Sequence, residues 1–283
     1  MSAKSKIEWT DATWNPVRGC SKVSQGCTHC YAERMFSRNL PGMMPNGYST
    51  AWGDRGYAEV GRWTGRVELI ESQLEIPLHW RAPRRIFVDS MSDTFHEALP
   101  DEAIDRIFAV MALCPQHTFM ILTKRAERML AYLTENVTEG GRMMHGTPPD
   151  WIYLGVSCED QKTADERIPL LLQTPAAVRF VSLEPMIAPV SFRWAKWAPI
   201  KPYPAINNHM DGLRGIHLVI VGGESGPGAR PCRVEWIRSV VEQCAAAGVA
   251  CYVKQMGSFW ARKRNADPEQ WTKVDSKGGD PSE

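Results

Sequence analysis

The chain has 283 residues, 43% of them hydrophobic, and a formal net charge of +1. That length supplies a sizeable core, and the charge balance excludes a global electrostatic pull toward nucleic acid or an anionic membrane. No apolar run approaches the roughly 20 residues that span a bilayer, and residues 1–6 lack the apolar core of a signal peptide, so a cytoplasmic location with reduced thiols is expected.

Residues 13–18 read as a short strand leading into a cysteine loop, and Tyr31 to about Arg38 as a helix. Residues 40–65 carry Pro41, Pro45, Gly53, Gly56 and Gly61, a long excursion expected to cover something. A short strand over 65–70 and a helix over 71–81 follow, the helix weakened by Pro77. Strands and helices then alternate: strand 85–89, helix 101–113, strand 118–122, a helix to about Leu133, strand 151–156, helix 161–173 and strand 178–183. The helix at 101–113 follows Pro100, carries Asp101 and Glu102 in its first turn, and repeats Ile104, Ile107, Phe108 and Met111 at helical spacing. Pro189, Pro199, Pro202 and Pro204 mark 186–215 as an insertion. Strand 217–221, helix 233–247 closed by Gly248, and strand 249–253 complete the pattern; the polar tail beyond Trp260 is expected to be mobile.

Apolar strands separated by helices predict a parallel sheet covered on both faces. The expected fold is α/β, a full or partial (β/α) barrel of the TIM type over a single domain at 1–260, with an open doubly wound sheet as the alternative. In either, function gathers at the carboxyl ends of the strands. Those ends carry Ser90, Asp93, Thr123, Lys124, Arg125, Ser157, Glu159, Glu184, Glu224, Lys254 and Gln255.

Cys20, Cys27 and Cys30 stand in C-x6-C-x2-C spacing, flanked by Gly19 and Gly26. Thiolates bind zinc and iron–sulfur clusters. Three cysteines around a four-iron cluster leave one iron open; the alternative is a structural zinc completed by His29 or a distant cysteine. Cys114, Cys158, Cys232, Cys244 and Cys251 are scattered, and Cys114 and Cys244 read as small buried hydrophobes. Trp9, Trp14, Trp52, Trp63, Trp194 and Trp197 lie outside the regular core pattern and either anchor loops or line an aromatic pocket. Gly222 and Gly223 allow close ligand approach to the backbone, and Glu224 beside them can bind an amine or cap a turn. Glu184 needs a cationic partner, for which Lys124, Arg125 or Lys254 are candidates.

Four stretches carry a family resemblance: residues 9–16 (WTDATWNP), 26–32 (GCTHCYA), 183–186 (LEPM) and 222–226 (GGESG). Together with the early cysteine loop and the β/α pattern, they resemble the phage and prophage three-cysteine-motif proteins, and more broadly the radical S-adenosylmethionine superfamily, over roughly residues 7–258. The resemblance implies a 4Fe-4S cluster on Cys20, Cys27 and Cys30 and S-adenosyl-L-methionine bound to the open iron. It also implies a 5′-deoxyadenosyl radical that abstracts hydrogen from a substrate. Ser90, Asp93, Ser157, Gly222, Gly223 and Glu224 are the candidate cofactor contacts, and Glu184, Lys124 and Lys254 the candidate catalytic groups. A nucleotide or nucleic acid is the favoured substrate class, and a protein partner is a further candidate. A zinc-stabilised phage nucleic-acid-binding or interaction protein is the competing reading. A metal-free hydrolase using Glu184, Glu224 and Asp93 finds no nucleophile elbow to support it.

Overall fold

The computed structural model describes residues 7, 9–36, 58–59, 62–134, 146–193, 197 and 209–265. Most of the 40–65 excursion, much of the 186–215 insertion and the tail from 266 lie outside the described residues.

Strands β1 (Ala12–Trp14) and β2 (Val17–Arg18) precede a 3-10 turn at Gln25–Cys27 and helix α1 (Tyr31–Phe36). The two-residue strands β3 (Ala58–Glu59), β4 (Arg62–Trp63) and β5 (Glu68–Leu69) follow. Next come α2 (Glu71–Leu74), β6 (Arg85–Val88), α3 (Asp101–Ala112), β7 (Thr118–Thr123), α4 (Ala126–Thr134) and β8 (Ile152–Cys158). The chain continues through α5 (Gln161–Gln173), β9 (Val178–Leu183), β10 (Leu218–Gly222), α6 (Val234–Ala247), β11 (Ala250–Gln255) and α7 (Ser258–Asn265).

Seven strands form one sheet in the order β1-β6-β7-β8-β9-β10-β11. The pairs β1–β6, β6–β7, β9–β10 and β10–β11 are parallel. The order never reverses, so each β/α unit lays its strand beside the preceding one. That is the winding of a partial (β/α) barrel and not the reversing order of a doubly wound sheet.

The chain divides into two compact units, Met1–Leu154 with Thr174–Ala177, and Gly155–Gln173 with Val178–Glu283. In the first, the apolar face of α3 buries Ile104, Ile107, Phe108 and Met111 completely, each contributing about 1.5–3 kcal/mol. Phe108 packs with Phe95 and Tyr132, and Trp14 meets Phe119 edge-on. In the second, Phe180, Val181 and residues 219–221 are fully buried, as are Ile168 and Leu171 of α5 and Val240 and Cys244 of α6. Gly248 takes φ 68° and closes α6 as its C-cap.

Two expectations change. The helix over 71–81 splits into α2 and a 3-10 turn at Ile76–His79, because Pro77 lacks the N–H that an uninterrupted helix requires. The tail expected beyond Trp260 begins as helix α7, which is anchored: Ala261 is buried, and Arg262 donates to the Gly226 and Ala229 carbonyls. Trp9, Trp14 and Trp197 are buried anchors; Trp52 and Trp194 lie outside the described residues. Among the described residues no helix is long and apolar enough to cross a membrane.

Candidate functional site

The cysteine loop leaves β2 through Gly19, whose φ of 87° falls in the left-handed region that glycine tolerates. Gly19 forms a parallel bridge with Ser92, beyond the end of β6, which places the loop at the carboxyl ends of β1 and β6. The loop tightens through the 3-10 turn at Gln25–Cys27, where the Cys27 amide donates to the Ser24 carbonyl at 3.0 Å. It then enters α1, where the Tyr31 hydroxyl donates to the Ser90 carbonyl. Lys22 pairs with the buried Glu33 at 2.7 Å, and Glu33 also accepts from the Trp63 amide at 2.8 Å. The loop is thereby clasped to α1 and to the β3–β4 pair.

All three sulfurs are free thiols of intermediate exposure. Burial pushes the Cys20 thiol up to about 12; Asp93 adds to the rise, Arg125 opposes it, and the charges of Cys27 and Cys30 add to it. Burial also raises Cys30, while the amides of Glu33 and Ala32 at the start of α1 pull it down.

Arg125, just beyond β7, is the node of this region. Its Nη1 donates to Asp93 at 3.0 Å and to Cys20 Sγ at 3.9 Å. Nη2 donates to Ser21 Oγ at 2.8 Å and to the Ser21 carbonyl at 3.3 Å, and Nε to Glu97 at 2.8 Å. Asp93 also accepts from Thr123 Oγ1 at 2.7 Å, from the Phe95 amide at 3.0 Å and from the Lys124 amide at 3.2 Å. Its carboxylate thereby ties the turn at 93–95 to the end of β7. His96 Nδ1 accepts from the Ala98 amide at 3.1 Å, so in the neutral ring Nε2–H donates to Ser21 Oγ at 2.8 Å. Burial and the neighbouring Arg125 hold the His96 pKa below its ordinary value, favouring that neutral ring.

Asp89, at φ 55°, ends β6 with a fully buried carboxyl. It accepts from the Val17 amide at 3.0 Å and from Thr94 Oγ1 at 2.6 Å. Burial raises its pKa to about 7 from an ordinary 3.8. Between those values the unfolded chain has released a proton that the folded chain keeps, so rising pH favours unfolding. The contribution is fully present below pH 3.8 and is lost as pH rises through about 7. Its ceiling is about 4 kcal/mol. Asp89→Asn, which keeps an acceptor for the Val17 amide, is expected to flatten the pH dependence of the urea midpoint between about pH 4 and 7; equal slopes in both proteins would refute this.

The second unit carries its own strand-end set. Glu184 Oε1 pairs with Lys254 Nζ at 3.0 Å, and Ser182 Oγ donates to Glu184 Oε2 at 3.3 Å. Of the three candidate partners for Glu184, Lys254 is the one found beside it. A Cβ at Gly222 would meet Glu184 Oε1 at 2.9 Å, so the glycine makes room for the carboxylate. A Cβ at Gly223 would meet the Met256 carbonyl oxygen at 2.2 Å, so this glycine serves backbone packing. Glu224 is held by Arg230 through Nη2 at 2.6 Å, Nε at 3.0 Å and the backbone amide at 2.8 Å, a clasp for the loop that follows β10. Ser157 Oγ donates to the Glu184 carbonyl at 3.2 Å, and Arg167 donates to the Ser157 carbonyl at 2.6 Å and to Glu159 at 3.0 Å.

Sequence reasoning favoured Lys124 over its neighbour Arg125. The period-two alternation of an extended segment, continued past the strand end, puts Thr123 and Arg125 on one side. Both are buried, whereas Lys124 is half-buried, and that parity is the signal that would have singled out Arg125.

Three free thiols on one loop are the donor type an iron–sulfur group takes, and Arg125 Nη1 donates to one of them at 3.9 Å. Among the described residues, no three His, Cys, Asp or Glu side chains are drawn together so as to hold a single metal ion. A cluster places each thiolate on a different iron and does not require its ligands to converge on one point.

No curated protein and no solved structure matches the chain. Residues 4–278 match the family described as protein of unknown function (DUF5131), and with nearly its whole length covered the chain belongs to that family.

Proposed function

We propose that this protein is a radical S-adenosylmethionine enzyme in which Cys20, Cys27 and Cys30 would hold a 4Fe-4S cluster. The observation that carries the reading is the position of the cysteine loop. It is bridged to the end of β6 through Gly19 and Ser92, and joined to the end of β7 by Arg125, which donates to the Cys20 sulfur. Parallel β/α scaffolds gather function at these ends. When bound there, a reduced cluster would supply the electron for reductive cleavage of S-adenosyl-L-methionine. The protein's own residues hold the ligand loop through Arg125, Ser21 and the Lys22–Glu33 pair. In the second unit, Glu184 and Lys254 form a partly exposed charged pair able to hold a proton or orient a polar substrate group.

The favoured substrate is a nucleotide or nucleic acid, for which Lys124, at the end of β7, offers a cation that suits phosphate. Eight free cysteines are compatible with a reducing compartment such as the cytoplasm. The test is to load the protein with iron and sulfide without oxygen, add dithionite and S-adenosyl-L-methionine, and measure 5′-deoxyadenosine. Accumulation of the nucleoside supports the reading. A cluster-loaded protein that makes none sinks it.

A further inference from the structure

We infer that Arg125 is a positioning residue that fixes the Cys20 sulfur at the strand ends and sets the reduction potential of the group bound there; this rests on reading Cys20, Cys27 and Cys30 as ligands of an iron–sulfur group. The Arg125 side chain is only 4% exposed, and its fork reaches two successive residues of the ligand loop. Nη1 meets Cys20 Sγ at 3.9 Å, and Nη2 meets Ser21 Oγ at 2.8 Å and the Ser21 carbonyl at 3.3 Å. An arginine serving only as counter-ion to Asp93 would need none of these contacts. Lysine, a point charge without the planar fork, cannot reproduce the set.

The charges define the direction of the effect. Asp93 is buried and accepts at 3.0 Å from the same Arg125 Nη1 that donates to the Cys20 sulfur, so a negative and a positive charge stand side by side next to that sulfur. Glu97, the other carboxylate on Arg125, is 61% exposed, so water screens it. Arg125 is therefore the group that offsets a buried carboxylate beside the ligand. Reduction adds negative charge to an iron–sulfur group, and a nearby cation stabilises the reduced form. Removing the cation leaves Asp93 facing the sulfur and makes reduction harder.

The test compares wild type, Arg125→Gln, Arg125→Lys and Asp93→Asn, each loaded anaerobically, by iron content and by midpoint potential from an EPR-monitored redox titration. Arg125→Gln is expected to shift the potential negative of wild type. Arg125→Lys is expected to keep a potential near wild type with less iron per chain, because the charge stays and the fork is lost. Asp93→Asn is expected to shift the potential positive. It carries the test if Arg125→Gln does not fold, and an unchanged potential there overturns the inference. So does an Arg125→Gln potential equal to wild type, or equal displacement in the Gln and Lys variants, which would reduce Arg125 to a structural fork. A wild-type protein that takes up no iron and sulfide refutes the ligand reading itself, a result distinct from all of these.

Discussion

Cys30→Ala is expected to abolish both the brown iron–sulfur absorbance and the formation of 5′-deoxyadenosine, down to background, while the protein stays folded. Cys30 is half-buried at the start of α1, where backbone amides of Ala32 and Glu33 face its sulfur. If each thiolate holds a separate iron, losing one leaves two thiols on the loop to hold the group. Cys20→Ala and Cys27→Ala are expected to behave alike. The control is Cys244→Ala. Cys244 is buried inside α6, where a thiol acts as a small hydrophobe. Its removal is expected to lower stability modestly and leave iron content unchanged. Metal analysis and the nucleoside assay on the four variants decide the matter. Wild-type iron and turnover in any of the three loop variants would contradict the assignment.

The largest expected effect on stability is at Arg167→Met. Glu159 is fully buried, and Arg167 Nη1 donates to it at 3.0 Å while donating to the Ser157 carbonyl at 2.6 Å. Removing the guanidinium leaves a buried carboxylate without the charge that neutralises it and uncaps a buried carbonyl. Breaking a buried pair from one side costs about 3–5 kcal/mol, a large share of the roughly 5–15 kcal/mol that holds a domain together. Urea unfolding should show a midpoint displaced accordingly. The double variant Arg167→Met/Glu159→Gln should recover part of the loss, because the buried charge is gone. A single variant within about 1 kcal/mol of wild type would contradict this account.

The parallel sheet is legible in the sequence because strands buried on both faces read as continuous apolar runs: 118–123, 178–183 and 218–222 are found within a residue of expectation. Helices α3, α5 and α6 are legible through their apolar period and, at α6, through Gly248. Strands β2 and β5 fall inside the expected strands 13–18 and 65–70, but their antiparallel pairing is not legible, and the two-residue pair β3–β4 is too short for periodicity to register. Helix α7 escapes because its sequence, SFWARKRN, has little apolar face; tertiary anchors at Ala261 and Arg262 hold it.

At the site, the three cysteines and the strand-end positions are legible from spacing and order alone. What spacing does not reveal is which polar groups already have partners. Asp93 and Glu224 look like available carboxylates in sequence, yet Asp93 accepts from Thr123 and Arg125 and Glu224 from Arg230. Arg125 looks like one of two strand-end cations until its guanidinium is seen to reach Cys20 and Ser21, residues 105 and 104 positions distant in the chain. Partnerships of that range depend on how the β/α units stack, which local pattern does not encode.

The proposed function has three loop thiolates holding iron and sulfide at the strand ends. Its most direct measurement is the iron, zinc and acid-labile sulfide content of protein purified without exposure to air. The account predicts about four irons and four sulfides per chain. One zinc per chain with neither iron nor sulfide would contradict it and favour a zinc-stabilised binding protein instead.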